Sequence, residues 1–220
     1  MTVQLALLLL GSYLLGGIPF GVLVARAHGV DIMAIGSGNT GATNVIRALG
    51  KGPGLFVFLL DLLKGLVPAV AARVMFPERQ ELWFLAGAMA VIGHSLSPFL
   101  KFKGGKGIST ALGMALGSSP LVALVAFVVF AILLGTIGYM SFASMVAVAL
   151  TIPLTLIFRD SPWVTAGFAL LAVFVIYRHR SNIERLRKGT EPKFKLNKTI
   201  VPPTTEEKKS DPETESKDAP

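Results

Sequence analysis

Long apolar runs separated by short polar breaks dominate the chain, a pattern that predicts helices crossing a membrane. Seven runs approach the length needed to span ~30 Å of hydrocarbon at ~1.5 Å per residue. They cover residues 3–25, 54–76, 82–99, 106–118, 120–137, 139–158 and 162–177. The fourth falls below the ~17–25 residues of a straight span. The first could pass for a secretory leader, because Ala25-Arg26-Ala27 fits a small-x-small cleavage site. No basic segment precedes it, however, and it outruns the ~7–15 apolar residues of a leader. It is read as a retained span.

Charge gives these runs a direction. The 26–53 loop carries Arg26, Arg47 and Lys51, and the 100–106 loop carries Lys101, Lys103 and Lys106. The last apolar run is followed by Arg178, Arg180, Arg185, Arg187 and Lys188. The alternate loops offer Arg73, Arg79 and Arg159, close to Glu78, Glu81 and Asp160. The positive-inside rule then places the first group in the cytoplasm and the N-terminus outside. Only if the short fourth run crosses does the basic C-terminal flank also fall inside. The expectation is an all-α integral membrane protein with seven transmembrane helices and a cytoplasmic C-terminus.

Composition agrees: 52% of the 220 residues are hydrophobic and the mean hydropathy is +0.64. With no cysteine there is no disulfide, no thiol nucleophile and no thiolate metal site. From Glu191 onward, Lys, Glu, Pro, Thr and Asp prevail. Such a segment buries too little apolar surface to offset ordering entropy. The expected organisation is a membrane domain over 1–190 and a disordered cytoplasmic tail over 191–220. The tail's charges nearly cancel, which leaves the net +8 on the membrane domain. No internal repeat is visible.

Three polar patches interrupt or end the apolar runs. The first, Gly36-Ser37-Gly38-Asn39-Thr40-Gly41-Ala42-Thr43-Asn44, is followed by Arg47; the second is Lys101-Phe102-Lys103-Gly104-Gly105-Lys106-Gly107; the third is His179-Arg180-Ser181-Asn182. Glycines let backbone amides approach an anion, and cations neutralise it, so each patch suits phosphate oxygens. A helix starting near Thr43 sets Asn44 and Arg47 on one face, and His179 and Asn182 share a face by the same spacing. Paired glycines before Lys106 suggest amides facing a ligand at a helix N-terminus. The bland alternatives are turn residues for the first patch, headgroup anchors for Lys101 and Lys103, and a basic interfacial helix for the third. Asp61 and Lys64, inside the second run, can pair as a structural bridge. His94 suits a core role or a ligand role equally.

Several chemistries are excluded. Gly36-x-Gly38-x-x-Gly41 matches a dinucleotide fingerprint literally, but a membrane span follows it instead of the helix of a soluble βαβ unit. Lys106 is followed by glycine, so there is no Walker A loop. No HExxH, carboxylate cluster or Gly-x-Ser-x-Gly elbow occurs. Aspartate does not follow any of His28, His94 or His179 at the fifth position, so the HxxxxD dyad of many glycerolipid acyltransferases is missing. A chain so poor in bases needs a substrate that is already activated.

Together the three patches identify a resemblance. Gly36–Asn44 with Arg47, Gly93-His94 with Phe99–Gly107, and His179–Ile183 with Arg185-Leu186 and Gly189-Thr190-Glu191 resemble the bacterial acyl-phosphate-dependent glycerol-3-phosphate acyltransferases, the PlsY type. The likeness covers residues 1–191. Ser97 stands where proline is usual in that family, and Met33 where a basic residue is common. The resemblance implies an inner-membrane enzyme with its active site on the cytoplasmic side, working without a cofactor or metal. It implies transfer of a fatty acyl group from acyl phosphate to the sn-1 hydroxyl of glycerol 3-phosphate, giving lysophosphatidic acid and orthophosphate. Ser37, Arg47, Lys106 and His179 are the expected catalytic residues. Gly36, Gly38, Asn39, Thr43, Asn44, Gly104, Gly105 and Asn182 are the expected substrate-binding residues. Membrane lipid is the surrounding partner; neither nucleic acid nor an obligate protein partner is implied. A phosphate transporter would place its cations near the midplane of repeated segments, and a lipid-binding scaffold would not need the hydroxyl and amide density of 36–44.

Overall fold

The computed structural model describes residues 3–194, and these form helices and connecting loops without a strand. The helices are α1 (Val3–Gly17), α2 (Phe20–Ala27), α3 (Ala42–Leu49), α4 (Lys51–Met75) and α5 (Gln80–Ser95). They continue with α6 (Ile108–Ser118), α7 (Pro120–Ile137), α8 (Met140–Ile157), α9 (Pro162–Arg178) and α10 (Arg180–Arg187). All seven apolar runs are helical. The first is broken at Ile18-Pro19, since proline lacks an amide and keeps its predecessor out of helical geometry.

Five segments are long and apolar enough to cross a membrane, and α9 with α10 makes a sixth if their 60° bend counts as one span. α6 is apolar but only 11 residues long. The expected seven crossings are therefore supported in part, with α6 the segment that falls short by length.

α4, α5 and α6 form the centre. Small residues let them approach closely, as in membrane bundles generally. A Cβ on Gly65 of α4 would lie 2.0 Å from the Thr110 carbonyl oxygen, and one on Gly113 of α6 would lie 1.9 Å from that of Leu62. Around this centre, Phe84, Met114, Phe168 and Val175 join α5, α6 and α9 in the larger apolar core. Val22, Ile32, Val45 and Val57 make a second core under α2, α3 and α4. Leu7, Val74, Leu124 and Leu170 are exposed on the outer faces, as lipid contact requires.

Both ends of the bundle are polar. At one, Asn44, Lys106 and His179 come together. At the other, the Gln80 amide donates to Ser118 O at 3.2 Å and to Asp160 Oδ1 at 2.8 Å. α6 runs between these layers. Inside the second run the expected pair forms: Lys64 Nζ lies 2.7 Å from Asp61 Oδ1, and both side chains are buried. Lys64 also donates to Ile18 O at 2.9 Å, so the bridge ties α4 to the break between α1 and α2.

Candidate active site

The three polar patches meet around one cavity of about 340 Å³. Ser37, Asn39, Thr43, Asn44 and Arg47 line it from the first patch, Lys106 from the second, and His179 and Asn182 from the third. Gly36, Gly38, Gly104 and Gly105, expected as binding residues, are absent from its lining. They shape the loops around it.

In the first patch the organiser is Asn44, which is 2% exposed. Its Oδ1 accepts from the Ser37 amide at 3.0 Å, and its Nδ2 donates to Ile32 O at 3.1 Å and Ile35 O at 3.0 Å. Both amide hydrogens are thus occupied by the loop, and Asn44 also lines the cavity. Gly36 is the matching piece. Its φ of +61° favours glycine, and a Cβ there would stand 2.4 Å from Asn44 Oδ1. Asn39 also faces inward chemically, accepting from the Gly41 amide at 2.9 Å just before α3. The outcome is a rigid loop presenting Ser37, Thr43 and Arg47. The Arg47 guanidinium has no hydrogen-bond or ion-pair partner among the described residues. Burial pulls its pKa down, with Glu191 opposing.

The second patch differs from expectation in its amides. Gly104 N donates to Ser95 O at 3.2 Å and Gly105 N to His94 O at 3.1 Å, so neither is free for a phosphate. The carbonyl oxygens of the pair accept from Arg178 Nη2 at 2.9 and 3.0 Å. A Cβ on Gly104 would lie 2.0 Å from His94 O, and one on Gly105 2.1 Å from His94 Nε2. The glycines let the loop lie flush on the end of α5. Other amides lie further along: Gly107, at φ +82°, turns the chain into α6, whose first residues Ile108 and Ser109 line the cavity. First-turn amides have no intrahelical acceptor and carry the positive end of the helix dipole.

Lys106 donates to Asn182 Oδ1. Burial, outweighing the opposing attraction of Glu191, lowers its pKa to about 8. Asn182 Nδ2 donates to Glu191 Oε1 at 2.7 Å, so Asn182 positions Lys106 and links it to the carboxylate. Glu191 also accepts from Ser141 at 2.6 Å and Arg185 at 2.7 Å. Burial alone would raise this carboxyl, but those three bonds hold it below the usual range. Glu191 is 8% exposed and Phe194 lines the cavity, so the membrane domain extends past residue 190. The remainder of the expected tail lies outside the described residues. Ser141 and Arg178 went unrecognised as site residues in the sequence. Ser141 sits in an apolar run, where nothing signals a partner 50 residues away.

His179, at the bend between α9 and α10, lies 2.8 Å from Val175 O through Nδ1. A carbonyl only accepts, so Nδ1 carries the hydrogen and Nε2 the lone pair. Burial, reinforced by Lys106 and Arg178, pushes the imidazole pKa down to about 4.

Below the polar cavity lies a second, apolar one of about 80 Å³. The two share Phe58, Ile108, Phe127, Phe130 and Ser144 as lining. Cations and helix amides thus sit directly above an apolar cleft, an arrangement suited to a molecule with a phosphate head and a hydrocarbon chain. Among the described residues no group of three His, Asp or Glu could hold a metal ion.

Known proteins resemble this chain in sequence and fold. The glycerol-3-phosphate acyltransferase family model matches residues 6–189. A glycerol-3-phosphate acyltransferase of Geobacter sulfurreducens is 48% identical over 187 residues, covering 84% of this chain and 94% of that protein. One from Geotalea daltonii is 45% identical over 189 residues, covering 86% and 96%. The crystal structure of PlsY (YgiH), an integral membrane glycerol 3-phosphate acyltransferase in its glycerol 3-phosphate form, is 41% identical. It superposes with a TM-score of 0.83 over 87% of this chain and 96% of that one. Its lysophosphatidic acid form gives 0.81. This chain belongs to the glycerol-3-phosphate acyltransferase family.

Proposed function

We propose that this protein transfers a fatty acyl group from acyl phosphate to the sn-1 hydroxyl of glycerol 3-phosphate, at the cytoplasmic face of a bacterial inner membrane. The observation that carries the reading is one cavity holding an unpartnered Arg47, Lys106 and the N-terminus of α6 above an apolar cleft. Family membership supports the acyl transfer, since relatives are named glycerol-3-phosphate acyltransferases. No obligate protein partner or cofactor is part of the proposal.

Arg47, Lys106, Ser37 and the α6 amides hold the two phosphates; a planar guanidinium can grip two phosphate oxygens at once. The chain of the donor lies in the apolar cleft, which fixes the acyl carbon near the polar boundary. Neutral His179 accepts a hydrogen bond at Nε2 from the attacking hydroxyl and orients it. With a pKa of about 4 it is a poor proton acceptor near neutrality. The proton therefore goes to the donor's own phosphate. The hydroxyl oxygen bonds to the acyl carbon, the bond from that carbon to the phosphate oxygen breaks, and orthophosphate leaves with the proton. The cations stabilise negative charge developing on the carbonyl and leaving oxygens. Much of the acceleration comes from holding both anionic substrates in one geometry.

The test is incubation of purified protein with glycerol 3-phosphate and either palmitoyl phosphate or palmitoyl-CoA, in EDTA. Lysophosphatidic acid is expected from the acyl phosphate alone. Product from the thioester instead, or turnover that requires added magnesium or zinc, would refute the proposal.

A further inference from the structure

We propose that Arg178 is a positioning residue for the acyl transfer: it braces the Gly104-Gly105 loop against the last turn of α9 and so aims Lys106 into the cavity. This rests on the proposed acyl transfer.

Arg178 ends α9, immediately before His179. Basic residues at the end of a span commonly reach outward to headgroups. Arg180 lies on the outside in this way, exposed and stacked 4.9 Å over the Tyr177 ring. Arg178 instead turns back into the protein. It is only partly exposed, its Nε is buried without a hydrogen-bond partner, and no carboxylate pairs with it among the described residues. Keeping a cation half inside a protein without a counter-charge is costly. What holds it there is a pair of acceptors. A single guanidinium nitrogen, Nη2, donates to Gly104 O at 2.9 Å and to Gly105 O at 3.0 Å.

Those bonds complete a clamp. The amides of the same two residues are taken by Ser95 O and His94 O at the end of α5. Gly104 and Gly105 are therefore pinned by α5 along one edge and by Arg178 along the other, with every backbone donor and acceptor in use. Left unbraced, two glycines would be the most pliant part of the site, since glycine has the widest backbone freedom. The next residue is Lys106. The clamp sets its backbone, and Asn182 Oδ1 receives its ammonium. The bend between α9 and α10 thus holds Lys106 at both ends and in a constant relation to His179.

Charge separates this role from a merely structural one. The charged and titratable groups around Lys106 are Arg47 of α3, Arg178 and His179 at the bend, Arg185 of α10, and Glu191. Burial is the main cause of the lowered Lys106 pKa; Glu191 opposes it, and Arg185, Arg47 and Arg178 add to it. Without Arg178 the loop loosens, Lys106 gains water, and one nearby cation is gone. Both changes favour the ammonium, so its pKa rises. A variant that is only less stable keeps the titration where it was.

The test is the pH profile of kcat/KM for palmitoyl phosphate and glycerol 3-phosphate, on full-length detergent-purified protein. In Arg178→Ala, kcat should fall about ten- to hundredfold, the scale of loss when a catalytic group is misplaced. Its basic limb should move up from about 8, toward the ~10.4 of a free lysine. Arg178→Lys keeps the charge and one donor in place, so it should recover part of the turnover and hold the limb near 8. Arg187→Ala, at the exposed end of α10, should stay within about twofold of the parent, because its charge is screened. Parent-like turnover in Arg178→Ala overturns the inference. So does a loss with the basic limb unmoved, or an equal loss in Arg187→Ala. If Arg178→Ala does not fold, Arg178→Gln is read by the same two measures. A parent protein that forms no lysophosphatidic acid overturns the acyl transfer first, and the bracing role with it.

Discussion

Arg47 and Lys106 face the same cavity under different constraints, and this makes their roles separable. Arg47 is unpaired and stays charged, so its removal should strip charge stabilisation from the transition state. Arg47→Ala should lose roughly 2–4 kcal/mol of it, about 30- to 1000-fold in kcat/KM, and Arg47→Lys should recover only part because the planar fork is gone. Steady-state kinetics on folded, detergent-purified protein checks this. Lys106 should instead impose a pH dependence. Its pKa is lowered to about 8, so the ammonium is present below that value and lost as pH rises through it. A basic limb near 8 is expected in kcat/KM, and Lys106→Arg should remove it. A limb unchanged by that substitution would assign the titration elsewhere. These side chains were legible because a cation stranded beside glycines between apolar runs has few other reasons to be there. Less legible was which neighbours are already bonded. Gly104, Gly105 and Asn44 looked like ligand contacts, yet their hydrogens are taken by Ser95, His94, Ile32 and Ile35. Sequence gives residue types, whereas the acceptors come from the end of α5 and the loop before α3, set in place only by folding.

At the scale of elements, the site is a set of helix ends held by short tethers. The loop before α6 lies against the end of α5 so closely that a methyl group on Gly105 has no room beside His94. Gly105→Ala should shift Lys106, and overpacking of this kind costs about 1–3 kcal/mol. A lower melting temperature and a ten- to hundredfold lower kcat/KM are expected together. The other tether is Glu191, which collects Ser141 of α8, Asn182 of α10 and Arg185. Glu191→Ala leaves buried donors without an acceptor, a loss of about 1–3 kcal/mol. Thermal unfolding should register it, and Lys106 should lose its fixed position because Asn182 is freed. Helix positions were readable from apolar length and from proline and glycine: Pro120 and Pro162 open α7 and α9. The reach of the domain was not. Glu191-Pro-Lys-Phe194 has the composition of a solvated tail, and contacts with residues distant in sequence show otherwise: Glu191 accepts from Ser141, and Phe194 N donates to Gly138 O at 2.8 Å.

For the whole molecule the open matter is how the short α6 fits a bilayer. Eleven residues rise only about 16 Å, roughly half of the hydrocarbon thickness. Its two ends nevertheless lie in opposite polar layers. Its N-terminus follows Lys106 in the site cavity, while Ser118 at its C-terminus is bonded to Gln80, which also reaches Asp160. The non-helical backbone at Ser119 is buried in protein, the condition under which such backbone is tolerated at membrane depth. We propose that α6 works as a full crossing completed by polar contacts that dip inward from the far side. The basic loops then all fall on one side, as the positive-inside rule asks. Reporters fused after residue 50, 103 or 190 should be cytoplasmic, and those after 78 or 160 external. A reporter after 190 found outside would mean that α6 turns back. The α9–α10 bend carrying His179 and Asn182 would then be on the wrong face to meet Arg47 and Lys106, and the shared site would be lost.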